Sequence, residues 1–185
     1  MIEKWVGLHS KFCYDIRTMN TAYLLLGSNL GNRESYLSQA IKLIEKSTGI
    51  VIAKSSIYNT KAWGNTEQND FLNQVVCVKT KLSAEELLQI ILGIDKELGR
   101  TRSQSPVASR QKWQPRIIDI DILFFNQHIC TSTHLHIPHP HLHERRFALI
   151  PLAEIAGELI HPVLKKNIKQ LLAECKDKLD VKKLS

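Results

Sequence analysis

The stretch Lys112-Trp113-Gln114-Pro115-Arg116-Ile117-Ile118-Asp119-Ile120-Asp121-Ile122-Leu123-Phe124-Phe125 decides the fold of this chain. Its second half alternates polar with apolar residues and then becomes wholly apolar, which is typical of a strand buried on both faces. Asp119 and Asp121 stand two positions apart, so their carboxylates point to one face with Cα atoms roughly 7 Å apart. Two like charges in a buried strand are costly unless a cation neutralises them. The stretch therefore predicts a central strand that carries a pair of carboxylates.

This carboxylate pair favours a divalent metal. Mg²⁺ takes one or two carboxylates and completes its shell with water and phosphate oxygens, and a pair can bridge two such ions for phosphoryl transfer. Two solvated carboxylates at a strand edge are the open alternative, because a lone D-x-D is common. The flanks favour the metal, since Pro115 fixes Arg116 near the first aspartate and Trp113 adds a flat surface. Together these groups suit a phosphorylated, ring-bearing substrate.

Outward from this strand, hydrophobic periodicity predicts further strands and helices. Strands are expected at 22–26, 50–58 and 71–80, and helices after Asn32 and after a capping box at 83–86, with loops at 59–70 and 100–111. The order β-α-β-β-α-β is that of a ferredoxin-like α+β sandwich, an antiparallel sheet with helices on one face. Beyond Phe125 we expect extra C-terminal elements: a helix within 147–155, a last helix around residue 168, and a frayed Lys-rich tail.

Composition and charge limit the possible classes of protein. The 185 residues are 43% hydrophobic and 23% charged, which indicates one globular domain. No apolar run approaches the roughly 20 residues of a membrane span. The net charge is +7, of which residues 165–185 carry +4 and residues 1–18 carry +1. The remaining +2 is too little for a broad nucleic-acid-binding face but fits one basic pocket.

The four cysteines are scattered, which predicts reduced thiols in the cytoplasm.

The pattern W-x-P-R-x-x-D-x-D, followed by an apolar run, resembles the signature of the 6-hydroxymethyl-7,8-dihydropterin pyrophosphokinase family of folate biosynthesis. The resemblance covers about 19–162 and includes Gly27-Ser28-Asn29-Leu30-Gly31, Asp70-Phe71-Leu72-Asn73 and Pro138-His139 in the same order. It implies transfer of pyrophosphate from ATP to a dihydropterin, release of AMP, and two Mg²⁺ ions. We expect a cytoplasmic monomer with ATP and the dihydropterin as partners, and neither nucleic acid nor membrane.

Three parts of the chain follow from this resemblance. Residues 19–164 are predicted to be the pyrophosphokinase domain, and residues 165–185 a basic C-terminal helix and tail. Residues 1–18 are predicted to be an extension, because the resemblance places the start of the family pattern near Met19, and they lack the apolar core of a secretory signal. A loosely attached segment, a wrongly assigned start codon and an amphipathic element remain the alternatives for these residues.

The resemblance also implies the site residues. Asp119 and Asp121 would hold the metal ions, and Arg116 would contact phosphate through a bidentate fork that lysine cannot reproduce. The ATP site would also contain Arg100, Trp113, His139 and Arg145, and the pterin site Thr60, Trp63, Phe71, Asn73 and Phe147. The two phenylalanines would sandwich the ring, and the asparagine would pair with its amide edge. Core packing is the alternative role for the two phenylalanines. A purely structural role is less expected for Asn73, because asparagine is a poor strand former.

A loop that closes over the triphosphate would supply two catalytic arginines, matched by Arg100 and Arg102. The loop is longer than in typical family members, so Arg110 competes with Arg102 for the second role. Arg102 matches by its distance from the preceding helix and Arg110 by its distance from Trp113. We favour Arg102, because the helix end at Gly99 fixes its position. We expect Arg102→Ala to lower kcat strongly and Arg110→Ala to do little in single-turnover kinetics; the reverse order would show that the insertion precedes the catalytic arginine.

Three other functions or sites fit the sequence less well. A nucleotidyltransferase also combines Gly-Ser after a strand with D-x-D, but Gly27 and Asp119 lie too far apart in sequence for one βαβ unit. An RNA-binding ferredoxin-like module would need exposed aromatic residues in an RNP pattern, which the strands lack. A zinc site in the His-rich segment 128–143 lacks acidic or cysteine partners at ligand spacing. The Gly27–Gly31 turn lacks a following Gly-Lys-Ser/Thr, which favours a structural turn over a phosphate loop.

Overall fold

The computed structural model of the chain describes residues 18–64, 68–99 and 115–184. The strands are β1 (Asn20–Ser28), β2 (Gly49–Lys54), β3 (Tyr58–Thr60), β4 (Phe71–Thr80), β5 (Asp119–Phe125), β6 (Cys130–Thr131), β7 (His136–Ile137) and β8 (Val181–Lys183), and the helices are α1 (Arg33–Ser47), α2 (Ala84–Glu97), α3 (Arg146–Ala156) and α4 (Ile168–Glu174). None of the helices in these ranges is long and apolar enough to cross a membrane. Arg100, Arg102, Arg110 and Trp113 lie outside the described residues.

One six-stranded antiparallel sheet organises the molecule. Its order is β5-β1-β4-β3-β8, and β2 also pairs with β4. β1 lies between β4 and β5 and is antiparallel to both. β2 and β3 pair with successive halves of β4, so together they take the place of a single strand. The predicted ferredoxin-like fold class is confirmed.

Helices cover both faces of this sheet. On one face, Ile44 of α1 and Leu87 of α2 are buried in a cluster with Leu24 of β1. On the other face, α3 and α4 close a second cluster that includes Leu123 of β5 and Leu149 of α3. The sequence predicted helices on one face with extra C-terminal elements, and the structure places those elements on the opposite face. β5 is therefore apolar on both faces because each face has its own core.

Two local predictions were wrong. The predicted strand 50–58 is interrupted at Ser55, whose N–H donates to the Val75 carbonyl (2.8 Å) and whose hydroxyl accepts from the Val75 N–H (2.9 Å). The tail predicted to be frayed instead forms β8, which pairs with β3 in the register Thr60↔Val181. Glu154 of α3 reinforces this corner by accepting hydrogen bonds from Tyr58 Oη and Lys183 Nζ. The tail thus stiffens the strand that ends at Thr60.

Candidate active site

A pocket of about 200 Å³ opens where β1 ends and the antiparallel strands β4 and β5 begin. All ten of the predicted site residues that the structure describes line it: Thr60, Trp63, Phe71, Asn73, Arg116, Asp119, Asp121, His139, Arg145 and Phe147. The pocket is also lined by residues whose place there the sequence did not predict: Leu25, Gly27, Lys61, Ala62 and Gln68. The structure therefore brings together residues that are far apart in sequence, and their individual roles remain predictions.

The strand register determines which side chains lie next to one another on the floor of the pocket. Gly27 of β1 is opposite Asp119 of β5 on one side and opposite Asn73 of β4 on the other. Residues directly opposite in an antiparallel pair point to the same face, so the carboxylate and the amide flank a position without a side chain. Asp121 and Leu25 form the next row by the same rule. The floor therefore carries acidic groups at one end and an amide at the other.

Two arginines face the two aspartates. Arg116 forms an ion pair with Asp119, and Arg145 Nη1 lies 3.8 Å from Asp121 Oδ2. Burial lowers the pKa of Arg145, while the charges of Asp121 and Asp119 act in the opposite direction. A guanidinium stays protonated in proteins, so the carboxylate end of the pocket holds two positive and two negative side chains. These cations are placed to contact phosphate oxygens beside a carboxylate pair.

His139 lies next to Arg145 and is uncharged at neutral pH. Its backbone N–H donates to the Leu123 carbonyl (3.0 Å), and its Nε2 lies 3.3 Å from Arg145 Nη1. Burial, followed by the charge of Arg145, lowers the pKa of His139 to about 4. A neutral imidazole has one acceptor nitrogen. The His141 N–H lies 3.2 Å from Nδ1 and Arg145 Nη1 lies 3.3 Å from Nε2, so the ring can accept from only one of these two donors in a given tautomer.

The pKa of His139 predicts how stability depends on pH. Folded His139 takes a proton near pH 4, whereas in the unfolded chain it does so near pH 6.5. The unfolded state therefore binds more protons between these values, and the free energy of unfolding should fall as the pH falls from about 6.5 to about 4. Urea unfolding of the wild type and His139→Asn across this range should give a shallower slope for the variant. Equal slopes would contradict the prediction; His161, whose pKa burial also lowers, is present in both proteins.

The other end of the pocket is an aromatic slot with a fixed amide. Phe71, Trp63 and Phe147 line it, and the Arg145 guanidinium carbon lies 5.0 Å from the Trp63 ring centroid. Asn73 is only 3% exposed, and its Nδ2 donates to Thr60 Oγ1 at 2.8 Å. That bond uses one of the two amide hydrogens and leaves the other hydrogen and Oδ1 for a ligand. The slot can therefore hold a flat ring that carries both a donor and an acceptor on its edge.

Gly27 is required between the amide and the carboxylate. A Cβ added there would lie 2.9 Å from Asn73 Oδ1, so Gly27→Ala must displace the amide. We expect this variant to stay folded but to bind the dihydropterin, the ligand that the family resemblance implies, about tenfold or more weakly, because one hydrogen bond is lost or bent. Gly93→Ala is the matched control, since nothing lies within 4 Å of its Cβ and alanine is the better helix former. Equal pterin affinities of both variants by calorimetry would contradict the role of Gly27.

The carboxylate pair fits a magnesium site that substrate would complete. The side chains of Asp119 and Asp121 are 16% and 35% exposed at the pocket wall. Across 18–64, 68–99 and 115–184, no group of three or more His, Cys, Asp or Glu is placed to hold a metal ion by itself. Two hard oxygen donors in an open pocket are what Mg²⁺ uses when phosphate and water supply its other ligands.

Comparison with known proteins gives concordant results. A family model described as 7,8-dihydro-6-hydroxymethylpterin-pyrophosphokinase matches residues 23–157. The chain is 44% identical over 141 residues to 2-amino-4-hydroxy-6-hydroxymethyldihydropteridine pyrophosphokinase of Bacillus subtilis, covering 76% of this chain and 80% of the relative. The enzyme of the same name from Aquifex aeolicus is 42% identical over 156 residues, covering 84% of this chain and 92% of the relative.

Solved structures show the same fold. A structure described as HPPK-DHPS in complex with substrates superposes with a TM-score of 0.67 at 18% identity, over 84% of this chain and 43% of that chain. A Plasmodium falciparum HPPK-DHPS structure superposes with the same TM-score at 19% identity, over 45% of its chain. The chain thus spans less than half the length of these solved chains, and at this identity the likeness is one of fold alone.

Proposed function

Because the chain belongs to the 7,8-dihydro-6-hydroxymethylpterin-pyrophosphokinase family, we infer that it is an ATP-dependent diphosphotransferase. It transfers pyrophosphate from ATP to the hydroxymethyl group of 6-hydroxymethyl-7,8-dihydropterin and releases AMP, a step of folate biosynthesis. The observation that carries this function is a single pocket in which a carboxylate pair with two arginines adjoins an aromatic slot with a buried amide. Phosphoryl transfer needs mainly positioning and charge neutralisation. The aromatic slot can supply the positioning, and the carboxylates and arginines can supply the charge neutralisation.

We propose that Asp119 and Asp121 hold two Mg²⁺ ions. Bound there, the ions would neutralise charge on the phosphates of ATP. Arg116 and Arg145 stand beside these carboxylates and can each donate paired hydrogen bonds to phosphate oxygens. His139 lies beside Arg145 and, being neutral, adds no further positive charge there. Arg100, Arg102 and Trp113 remain predicted contacts of the triphosphate and the adenine ring.

We propose that the dihydropterin lies in the aromatic slot with its amide edge on Asn73. Phe71 and Phe147 would stack on the ring, and Thr60 fixes the direction of the amide. Asn73 and Asp119 lie on the two neighbours of β1 in one row, so their backbones are roughly 10 Å apart. A ring held at Asn73 would therefore direct its hydroxymethyl group along Gly27 toward the carboxylates.

We also propose the setting of the reaction. We propose that the chain acts as a monomer, with ATP and the dihydropterin as its partners and without nucleic acid or membrane. Cys77, Cys130 and Cys175 are free thiols, which supports the cytoplasm. Residues 19–164 would form the catalytic domain, on which α4 and β8 pack. Sedimentation velocity should give a species near 21.1 kDa.

One assay tests the function directly. The purified chain is incubated with ATP, Mg²⁺ and 6-hydroxymethyl-7,8-dihydropterin, and the products are identified by mass spectrometry. We expect equal amounts of AMP and pterin diphosphate. Asp121→Asn, purified in parallel, controls for contaminating enzymes. Release of pyrophosphate with an adenylylated pterin would instead indicate a nucleotidyltransferase and overturn the assignment.

A further inference from the structure

We propose that Asn29 is a positioning residue that fixes Arg116 relative to the Gln68–Asn69 segment. It would thereby fix the phosphate half of the pocket relative to the pterin half. The proposal rests on the function inferred above, because it concerns how that site is assembled. Asn29 follows β1 directly, and only 1% of its surface is exposed. A buried carboxamide is costly to leave unpaired. The hydrogen-bond partners of Asn29, which lie on two other segments of the chain, therefore indicate its role.

The first partner is the backbone of Arg116. The Asn29 N–H donates to the Arg116 carbonyl (3.0 Å), and the Arg116 N–H donates to Asn29 Oδ1 (2.6 Å). The regular pairing of β1 with β5 ends at Gly27↔Asp119, so Arg116 lies beyond the ladder. These two hydrogen bonds fix the backbone of Arg116 at a point where the hydrogen-bonded pairing of β1 with β5 no longer holds it. Arg116 can then reach Asp119, with which it forms an ion pair.

The second partner is the segment that borders the pterin slot. Asn29 Nδ2 donates to Gln68 Oε1 and to the Asn69 carbonyl, each at 3.3 Å, and Gln68 lines the pocket. The Arg116 N–H requires an oxygen on one side of the carboxamide, and the Asn69 carbonyl requires a nitrogen on the other. Asparagine satisfies both sides at once, whereas alanine satisfies neither and aspartate only the first.

A double-mutant cycle tests whether Asn29 acts through Arg116. We expect Asn29→Ala to lower kcat about tenfold or more in the wild type, and to change it less than about twofold in the Arg116→Ala background. Asn29→Asp keeps the acceptor for the Arg116 N–H but not the donor to Gln68 and Asn69. Its kcat should therefore lie near that of the wild type, whereas the KM for the pterin should be raised in both Asn29 variants. A merely structural role predicts the same loss in both backgrounds and no recovery, and either result would overturn the proposal.

Asn32→Ala is the matched control for folding. Asn32 lies in the same turn and caps α1 by accepting from the Ser35 N–H at 3.1 Å. Its loss should lower the melting temperature, as loss of a helix cap does, without changing kcat. The same double-mutant cycle can be measured without turnover, as the affinity of each variant for ATP with Mg²⁺ by calorimetry. Losses of affinity that simply add in the double variant would count against the proposed role of Asn29. A wild type that binds ATP but makes no AMP would refute the proposed function alone.

Discussion

Replacing Asp119 or Asp121 by alanine is expected to abolish turnover, with a loss of about a thousandfold or more, while the fold stays intact. A loss of that size corresponds to about 4 kcal/mol of transition-state stabilisation, which is reasonable for a charged group that holds a metal against the transferring phosphates. Both carboxylates lie at the wall of the pocket and are partly exposed. Their removal therefore creates no core cavity. Asp121→Ala also takes a charge partner from the largely buried Arg145, so a modest loss of stability is expected for that variant.

The measurement is the rate of AMP formation as Mg²⁺ is titrated, with the melting temperature as a check on folding. Glu144→Gln is the control for loss of one negative charge nearby, because Glu144 is next to Arg145 in sequence but does not line the pocket and pairs with the exposed His141. It should retain nearly full activity. If either aspartate variant turns over at the rate of this control, the two-metal assignment is wrong.

Much of the site could be predicted because its residues lie in short local motifs. The alternation around Asp119 and Asp121 fixes their shared face from sequence alone, and the structure places both in the pocket. Asn73 was assigned through the family resemblance, and its poor strand propensity agrees with a role beyond packing. The shared face of the two aspartates depends only on the period of a strand, whereas the roles of these residues stay predictions.

The features that were missed depend on pairing between distant segments. Gly27 was assigned to a turn, and its effect on Asn73 follows only from the register of β1 with β4. The pairing of Val181–Lys183 with β3 was missed because a short Lys-rich segment resembles a solvated tail until its partner strand is known. The break at Ser55 likewise arises from its bonds to Val75. Periodicity within one segment contains none of this information.

Replacing Asn73 by alanine is expected to raise the dissociation constant of the dihydropterin by about a hundredfold, with the affinity for ATP unchanged. The slot would lose a donor and an acceptor that are held in place by Thr60, and a ring edge buried without its partners costs a few kcal/mol. The phosphate half keeps its charged groups, since Arg116 and Arg145 pair with the two aspartates. Calorimetry with each substrate separately distinguishes the two affinities.

Asn20→Ala is the control, because Asn20 is an asparagine at the far end of β1 whose Nδ2 donates to the Leu82 carbonyl at 2.9 Å. It should lower stability by about 1 kcal/mol and leave the pterin affinity unchanged. The Asn73 variant also permits a sharper test with Gly27→Ala, whose Cβ would act by displacing the Asn73 amide. If both changes weaken pterin binding through that one amide, the double variant should bind no more weakly than Asn73→Ala alone. Additive losses would show that Gly27 acts by another route, and an unchanged affinity of Asn73→Ala would remove the amide from the pterin site.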